Sequence, residues 1–296
     1  MISSVLRAIR SNRSCSFMVS SGNIIYLNVS ELLARMLLVT DLPTFMYCPL
    51  QVYARKKLGY VPTKTASMLF GTIAHELVEC IVKTGGDVLR LVSAGDDVKS
   101  IHKKYVKKYS RSLSSIIVRH KLLMKQTGLA LLETYKKARP ILSSFALRRA
   151  TRAFELVQQG ANGELLWDAI RERTSSEFSL ESSSLGLKGR VDQVEWCDDV
   201  PVPIEFKTSV PPKEHAWEHH QIQVVAYAMM LAEKTNGAVS RGVIHYLLHD
   251  QERYVFVNPF LQKKVRYLIA QINALLLSNV SPKGCGQCEV CSSWKK

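Results

Sequence analysis

The stretch from Leu187 to Lys207, LKGRVDQVEWCDDVPVPIEFK, constrains the fold of this chain more than any other. Val191, Val194, Ile204 and Phe206 give its two flanks strand character, and Asp198-Asp199 separates them with turn residues. A two-residue turn there sets Cys197 against Val200 and, further out, Asp192 against Glu205. Counted from the turn, Asp192 and Glu205 form a non-hydrogen-bonded pair, the kind whose side chains approach more closely. Pro201 and Pro203 also fall at non-hydrogen-bonded positions, so their missing N–H groups cost no bond on this side. Lys207 lies two residues beyond Glu205 and shares its face. The predicted hairpin therefore gathers two carboxylates and one ammonium.

Carboxylates set directly opposite each other repel. A divalent cation between them resolves the repulsion, and oxygen donors of this kind suit Mg²⁺ or Mn²⁺. Such a cation polarises a phosphodiester and lowers the pKa of a bound water, while Lys207 places the water or stabilises developing negative charge. An E-x-K triplet on its own is common and equally fits an ordinary amphipathic hairpin.

With 296 residues the chain is long enough to bury a sizeable core. Its formal net charge of +15 favours a polyanionic partner, nucleic acid before an anionic membrane. No apolar run approaches the length of a spanning helix. The N-terminal stretch is short, basic and weakly apolar, with no proper signal-peptide core or cleavage site, so a cytoplasmic location is expected.

Residues 1–38 read as an N-terminal extension, with a strand near Gly22 to Val29 and a short helix from Ser30 to Leu38. Residues 39–86 hold Cys48-Pro49 and a helix from Lys64 to Val82, whose apolar side is Met68, Leu69, Ile73, Leu77 and Cys80. His75 lies inside that helix, and Glu79 one turn on is placed to orient its imidazole. Residues 87–170 form a basic helical insert. In it Ile101, Tyr105, Tyr109, Leu113 and Ile116 make one stripe and Lys104, Lys107, Lys108 and Arg111 another. No acid occurs between Val98 and Leu132; such a run suits a solvated face or a DNA-contacting one. Gly128 and Pro140 punctuate the insert. Residues 171–279 carry a strand from Glu177 to Glu181, the central hairpin, a helix from His219 to Thr235, two more strands and a helix from Pro259 to Leu277. Gln223 and Tyr227 share one face of the first of those helices. Lys213, His219 and His220 before them read as exposed loop residues.

Seven cysteines without a signal do not look like a disulfide framework. Residues 280–296 hold three of them as Cys285-x-x-Cys288-x-x-Cys291, a strong metal signal. Three thiolates so spaced, with a fourth from elsewhere, suit an iron–sulfur cluster; zinc is the runner-up, because four cysteines suit it too. Cys48, in the segment ahead of His75, is the natural fourth ligand. Cys15, Cys80 and Cys197 are expected to be free or buried.

In order along the chain stand TDLPTFMYCP, GTIAHE, GRVD, IEFK, QVVAY and the cysteine triplet. Each is weak alone, but the ordered set resembles the CRISPR-associated iron–sulfur exonucleases of the RecB-like branch of the PD-(D/E)xK nucleases. The resemblance implies an α/β fold: a restriction-endonuclease-like core of mixed sheet flanked by helices, with a helical insert and a cysteine-ligated cluster, expected as [4Fe-4S]. It implies a metal-dependent DNA exonuclease, 5′→3′ on single strands or single-stranded ends, that trims spacer DNA beside the CRISPR integration proteins. It assigns Asp192, Glu205 and Lys207 to catalysis, His75 to the metal site, and Gln223 and Tyr227 to the DNA strand. This sequence departs from the family in the close spacing of Cys288 and Cys291, in the long stretch between His75 and Gly189, and in its N-terminal extension. Two alternatives stand beside this reading: a RecB-like nuclease of repair, recombination or a mobile element, and a non-catalytic DNA-binding module.

Overall fold

The computed structural model describes residues 15–20, 23–28, 36–171, 173–197, 199–278 and 280–294. In chain order these form strands β1 (Cys15–Ser20), β2 (Asn23–Asn28) and β3 (Leu37–Leu38), then helices α1 (Asp41–Tyr47), α2 (Pro49–Leu58), α3 (Ala66–Thr84) and α4 (Gly86–Leu89). The insert follows as α5 (Val98–Arg119), α6 (Lys121–Thr127), α7 (Leu131–Gln158) and α8 (Gly163–Arg171). Then come β4 (Thr174–Ser182), β5 (Leu187–Cys197), β6 (Val200–Lys207), α9 (Glu218–Thr235), β7 (Arg241–Tyr246), β8 (Gln251–Phe256), α10 (Pro259–Leu277) and α11 (Glu289–Trp294).

The hairpin takes the predicted register. β5 and β6 pair antiparallel from Cys197 with Val200 to Gln193 with Ile204. Asp199 turns the chain at φ 63°, the left-handed region that aspartate tolerates better than most residues. The β5–β6 ladder stops one pair short of Asp192 and Glu205; on its opposite edge β6 pairs parallel with β7, from Ile204 with Val243 to Lys207 with Tyr246. On its other edge β5 pairs with β4 from Thr174–Glu195 to Ser182–Leu187. Leu187 also pairs with Leu37 of β3, so β3 and β6 share one edge of β5 with a gap between them. Asp192 lies in that gap. β8 closes the mixed sheet, whose order is β3-β5-β6-β7-β8 with β4 beside β5, while β1 and β2 form a separate antiparallel pair. The predicted helix over Ser30 to Leu38 ends instead in the strand Leu37–Leu38, whose backbone N–H and C=O groups lie beside a free sheet edge; the positions before Met36 fall outside the described residues.

Both faces of the sheet are covered. Val202, Ile204, Phe206 and Val243 pack against α3 and the insert, and Val191, Val194, Ile244, Tyr246 and Val255 against α1, α9 and α10. Side chains alternate along a strand, so Glu205 and Lys207 point towards α9. α3 starts where the Thr65 hydroxyl accepts the Met68 N–H at 3.2 Å. Its buried side is Leu69, Ile73, Leu77 and Ile81, while Met68, expected on that side, is exposed.

In the insert the predicted stripe of Ile101, Tyr105, Tyr109, Leu113 and Ile116 is buried throughout, and Asp97 caps α5 through the Ser100 N–H at 2.7 Å. The basic stripe is less free than its sequence suggests: Lys104 pairs with Asp96 and Lys108 with Asp87, acids that lie before the acid-free run. Pro140 does not break the chain as expected but sits inside the 28-residue α7. An interior proline costs about 3 kcal/mol. Burial of Ala138, Ile141, Leu142, Phe145 and Ala146 on both sides of it offsets that cost and keeps one helix.

Candidate active site

The gap on the edge of β5, between β3 and β6, is where residues from both faces of the sheet meet. From α3, His75 Nδ1 lies 3.1 Å from Asp192 Oδ1. Asp192 Oδ2 accepts the Phe206 N–H at 2.7 Å, so a carboxylate takes an amide that β5 leaves unpaired once the ladder stops. From the other face, α9 presents Gln223 and Tyr227. Lys207 Nζ donates to Glu205 Oε1 at 2.9 Å and to Gln223 Oε1 at 2.8 Å, and Gln223 Nε2 donates to the same Glu205 oxygen at 2.6 Å. The Tyr227 hydroxyl donates to the Arg190 carbonyl at 3.0 Å. Gln223 and Tyr227 are both buried, so each meets the site from within the core. The structure thus gathers His75, Asp192, Glu205, Lys207, Gln223 and Tyr227 around one gap.

Glu205 Oε2 is buried and has no hydrogen-bond partner among the described residues. Burial, and then the nearby Asp192 charge, push its carboxyl up to about 7, against the opposing pull of Lys207. At His75 burial acts downward, but Asp192 outweighs it and the imidazole is raised. Two carboxylates, one with an unsatisfied oxygen, and an imidazole form the hard donor set of a divalent-cation site. The residues present fit Mg²⁺ or Mn²⁺.

Glu79 does not orient His75, as the helical spacing suggested: it pairs with Lys83 on its own helix, and Asp192 fixes the imidazole instead. Lys83 lies one turn on along the same helix, within reach of Glu79, whereas the imidazole is already held from the sheet. Nor is His220 a loop residue. It is buried in the first turn of α9, which starts at Glu218, with Nδ1 3.0 Å from the Tyr246 hydroxyl of β7. Burial depresses its pKa to about 3, with Lys207 and His219 adding to the effect.

Two residues at the site were not singled out from sequence. Glu177 sits in mid-strand at φ 53°, where pairing with β5 skips the position facing Asp192, and it forms an ion pair with Arg190. Burial raises its carboxyl, partly countered by Arg190. With His75, Glu79, Asp192 and Tyr227, these two residues line an open cavity of about 930 Å³. The one available signal was Arg190 in GRVD. Gly189, just before it, admits the Tyr227 ring: a Cβ there would stand 2.9 Å from it and 3.0 Å from Val39.

Away from the gap, Cys48 meets the terminal triplet. The sulfurs of Cys48, Cys285, Cys288 and Cys291 all lie within 4.8 Å of one another, so the four can hold a metal. Cys80 is partly buried and Cys197 exposed; Cys15 is in β1, and nothing further is described of its side chain.

The model of the PD-(D/E)XK nuclease superfamily matches residues 38–293. The CRISPR-associated exonuclease Cas4 of Thermoproteus tenax is 27% identical over 118 residues, which cover 38% of this chain and 62% of that protein. The CRISPR-associated exonuclease Cas4/endonuclease Cas1 fusion of Leptospira interrogans is 28% identical over 130 residues, covering 38% of this chain and 24% of that one. The chain thus spans less than two thirds of the length of either relative. Among the described residues no helix is long and apolar enough to cross a membrane.

Proposed function

The chain belongs to the PD-(D/E)XK nuclease superfamily, and from that premise we propose that it is a metal-dependent DNA exonuclease whose reacting groups are Asp192, Glu205 and Lys207, assisted by His75. One observation carries the reading: the buried Glu205 carboxylate, held on one oxygen by Lys207 and Gln223 and left without a hydrogen-bond partner on the other. A desolvated, half-satisfied carboxylate lowers stability unless another group takes it up. Asp192, Glu205 and His75 would hold Mg²⁺ or Mn²⁺, which when bound supplies charge to a phosphoryl oxygen and acidifies a water.

The protein's own groups do the rest. The Lys207 ammonium is fixed by two hydrogen bonds, so its charge is already in place where negative charge develops and no reorganisation is needed. Gln223 positions Lys207 and Glu205 together. Tyr227 anchors the backbone at Arg190, and Arg190 at the cavity mouth suits a phosphate of the incoming strand. The net charge of +15 supports DNA as substrate. The relatives' CRISPR association supports a role in trimming spacer DNA, 5′→3′ from single-stranded ends, in the cytoplasm. The relative that joins an exonuclease to an endonuclease in one chain supports CRISPR integration proteins as partners. The helical insert, residues 87–170, favours as second reading the same chemistry serving repair, recombination or a mobile element.

The test is cleavage of end-labelled single- and double-stranded DNA with and without Mn²⁺. Asp192→Asn and Glu205→Gln should lose nearly all cleavage, and Lys207→Ala roughly 10²–10³ in rate, the cost of one preorganised electrostatic contact. Wild-type-like cleavage by Lys207→Ala, or full activity in chelator, sinks the proposal. Label released as mononucleotide from one end only fixes the polarity.

A further inference from the structure

Cys48 and Cys285 are 237 residues apart in sequence, yet the Cys285 N–H donates to Cys48 Sγ at 3.4 Å. The sulfur spacings carry information about what the site takes. Cys48 and Cys291 are 3.6 Å apart, Cys48 and Cys288 3.8 Å, Cys288 and Cys291 3.4 Å, and Cys285 and Cys291 3.9 Å. A single ion bound tetrahedrally by four thiolates at ~2.3 Å requires sulfurs about 3.8 Å apart. In a four-iron cubane each thiolate sits on a different iron and radiates outward, which spreads the four to roughly 6 Å. No pair here exceeds 4.8 Å.

The surroundings agree with the spacings. The sulfurs are packed among Leu50, Tyr53, Ala54 and Val290. Gly284 is closed in so tightly that a Cβ would overlap the Cys291 sulfur and stand 3.1 Å from Leu50. The triplet also delivers three ligands within a tight turn and the first residues of α11, the compact arrangement that a small ion needs.

We propose that Cys48, Cys285, Cys288 and Cys291 hold one tetrahedral metal ion, zinc, and not the iron–sulfur cluster that the family resemblance implies. Zinc suits four thiolates with no open position, and such closed sites are structural. The Cys285 N–H to Cys48 sulfur bond is the outer-sphere support expected of a thiolate ligand. The ion clasps the start of α2 to α11. This inference does not depend on the nuclease reading, because its readouts are metal content and spectra.

The experiment is to purify the whole protein anaerobically from cells supplied with both iron and zinc, and to measure zinc, iron and acid-labile sulfide per chain. One zinc with neither iron nor sulfide is expected, from a colourless protein that keeps its metal in air. Exchange for Co²⁺ should give the visible bands of tetrahedral thiolate coordination. Cys48→Ser and Cys288→Ser should lower zinc content and thermal stability together, while Cys197→Ser retains both. A brown protein with about four irons and four sulfides per chain overturns the proposal. A single iron without sulfide overturns the choice of zinc and upholds the single-ion geometry. Because the measurements are made on wild-type protein, they decide the matter even if a cysteine variant fails to fold.

Discussion

Tyr105 ends in a hydroxyl that is buried and without a hydrogen-bond partner among the described residues, and its burial pushes the phenol up to about 12. A buried donor left unsatisfied costs about 1–3 kcal/mol. Tyr105→Phe, which removes the oxygen and keeps the ring, should therefore leave stability unchanged or raise it by up to about 1 kcal/mol in urea titration; a clear loss would mean that the hydroxyl has a partner. His220 gives the pH prediction. Its folded pKa of about 3 lies below the ordinary 6.5, so between those values the unfolded chain binds the proton and the fold does not. Stability from this residue is complete above 6.5 and is lost as pH falls towards 3. His220→Gln should flatten that part of the acid dependence, read from denaturation midpoints at about pH 5 and pH 7; an unchanged slope would place the acid sensitivity elsewhere. Among single residues, Glu205 and Lys207 were legible as neighbours because they share one face of a strand, and Asp192 because the hairpin register brings it beside them. Glu177 was not, because its left-handed backbone and its place opposite Asp192 depend on how β4 registers with β5. His220 was read as exposed because its burial depends on the packing of the first turn of α9 against Tyr246 of β7.

At the scale of elements, Gly189 on β5 shows how a strand and a helix fix each other. Gly189→Ala would push a methyl against Tyr227 and Val39, and overpacking of this kind costs about 1–3 kcal/mol. The substitution should lower the unfolding midpoint and also slow cleavage, since Tyr227 holds the backbone beside Arg190; a shift in stability with cleavage intact would separate packing from the site. The insert yields a paired test. Lys104 and Lys108 are occupied by Asp96 and Asp87, whereas Lys107 and Arg111 are exposed. Changing Lys107 and Arg111 to Gln should weaken DNA binding and reduce the salt slope by about 1–2. Changing Lys104 and Lys108 should cost mainly stability. Equal effects on binding would show that the ion pairs open on DNA. Sequence gave the helices and their buried stripe, since those follow from spacing. It could not give the pairing of the lysines, whose partners lie upstream of the acid-free run, nor the passage of α7 through Pro140, which the packing on both sides decides.

Across the whole molecule, the sheet divides two apolar cores, one shared with the insert and one with α9 and α10, and the site occupies the place where the sheet opens. With a net charge of +15, the protein in chelator should still bind single-stranded DNA, with log affinity falling linearly in log salt. Fluorescence anisotropy measures this, and salt-independent binding would mean that the charge is not directed at the strand. The mixed, helix-flanked architecture was readable from the alternation of strand and helix signals. The meeting of Cys48 with the triplet could be expected from chemistry, but its dimensions could not, since sulfur spacings follow from how α2, Gly284 and α11 pack.

Those dimensions bear on how the protein is made. Cys48 is synthesised 237 residues ahead of Cys285, on the order of ten seconds or more at ribosomal speed. Throughout that interval it lacks the terminal triplet, and it belongs to neither of the two large cores. The proposed ion would then be a latch that closes late, and stripping it should quicken unfolding while leaving the rate of refolding almost untouched.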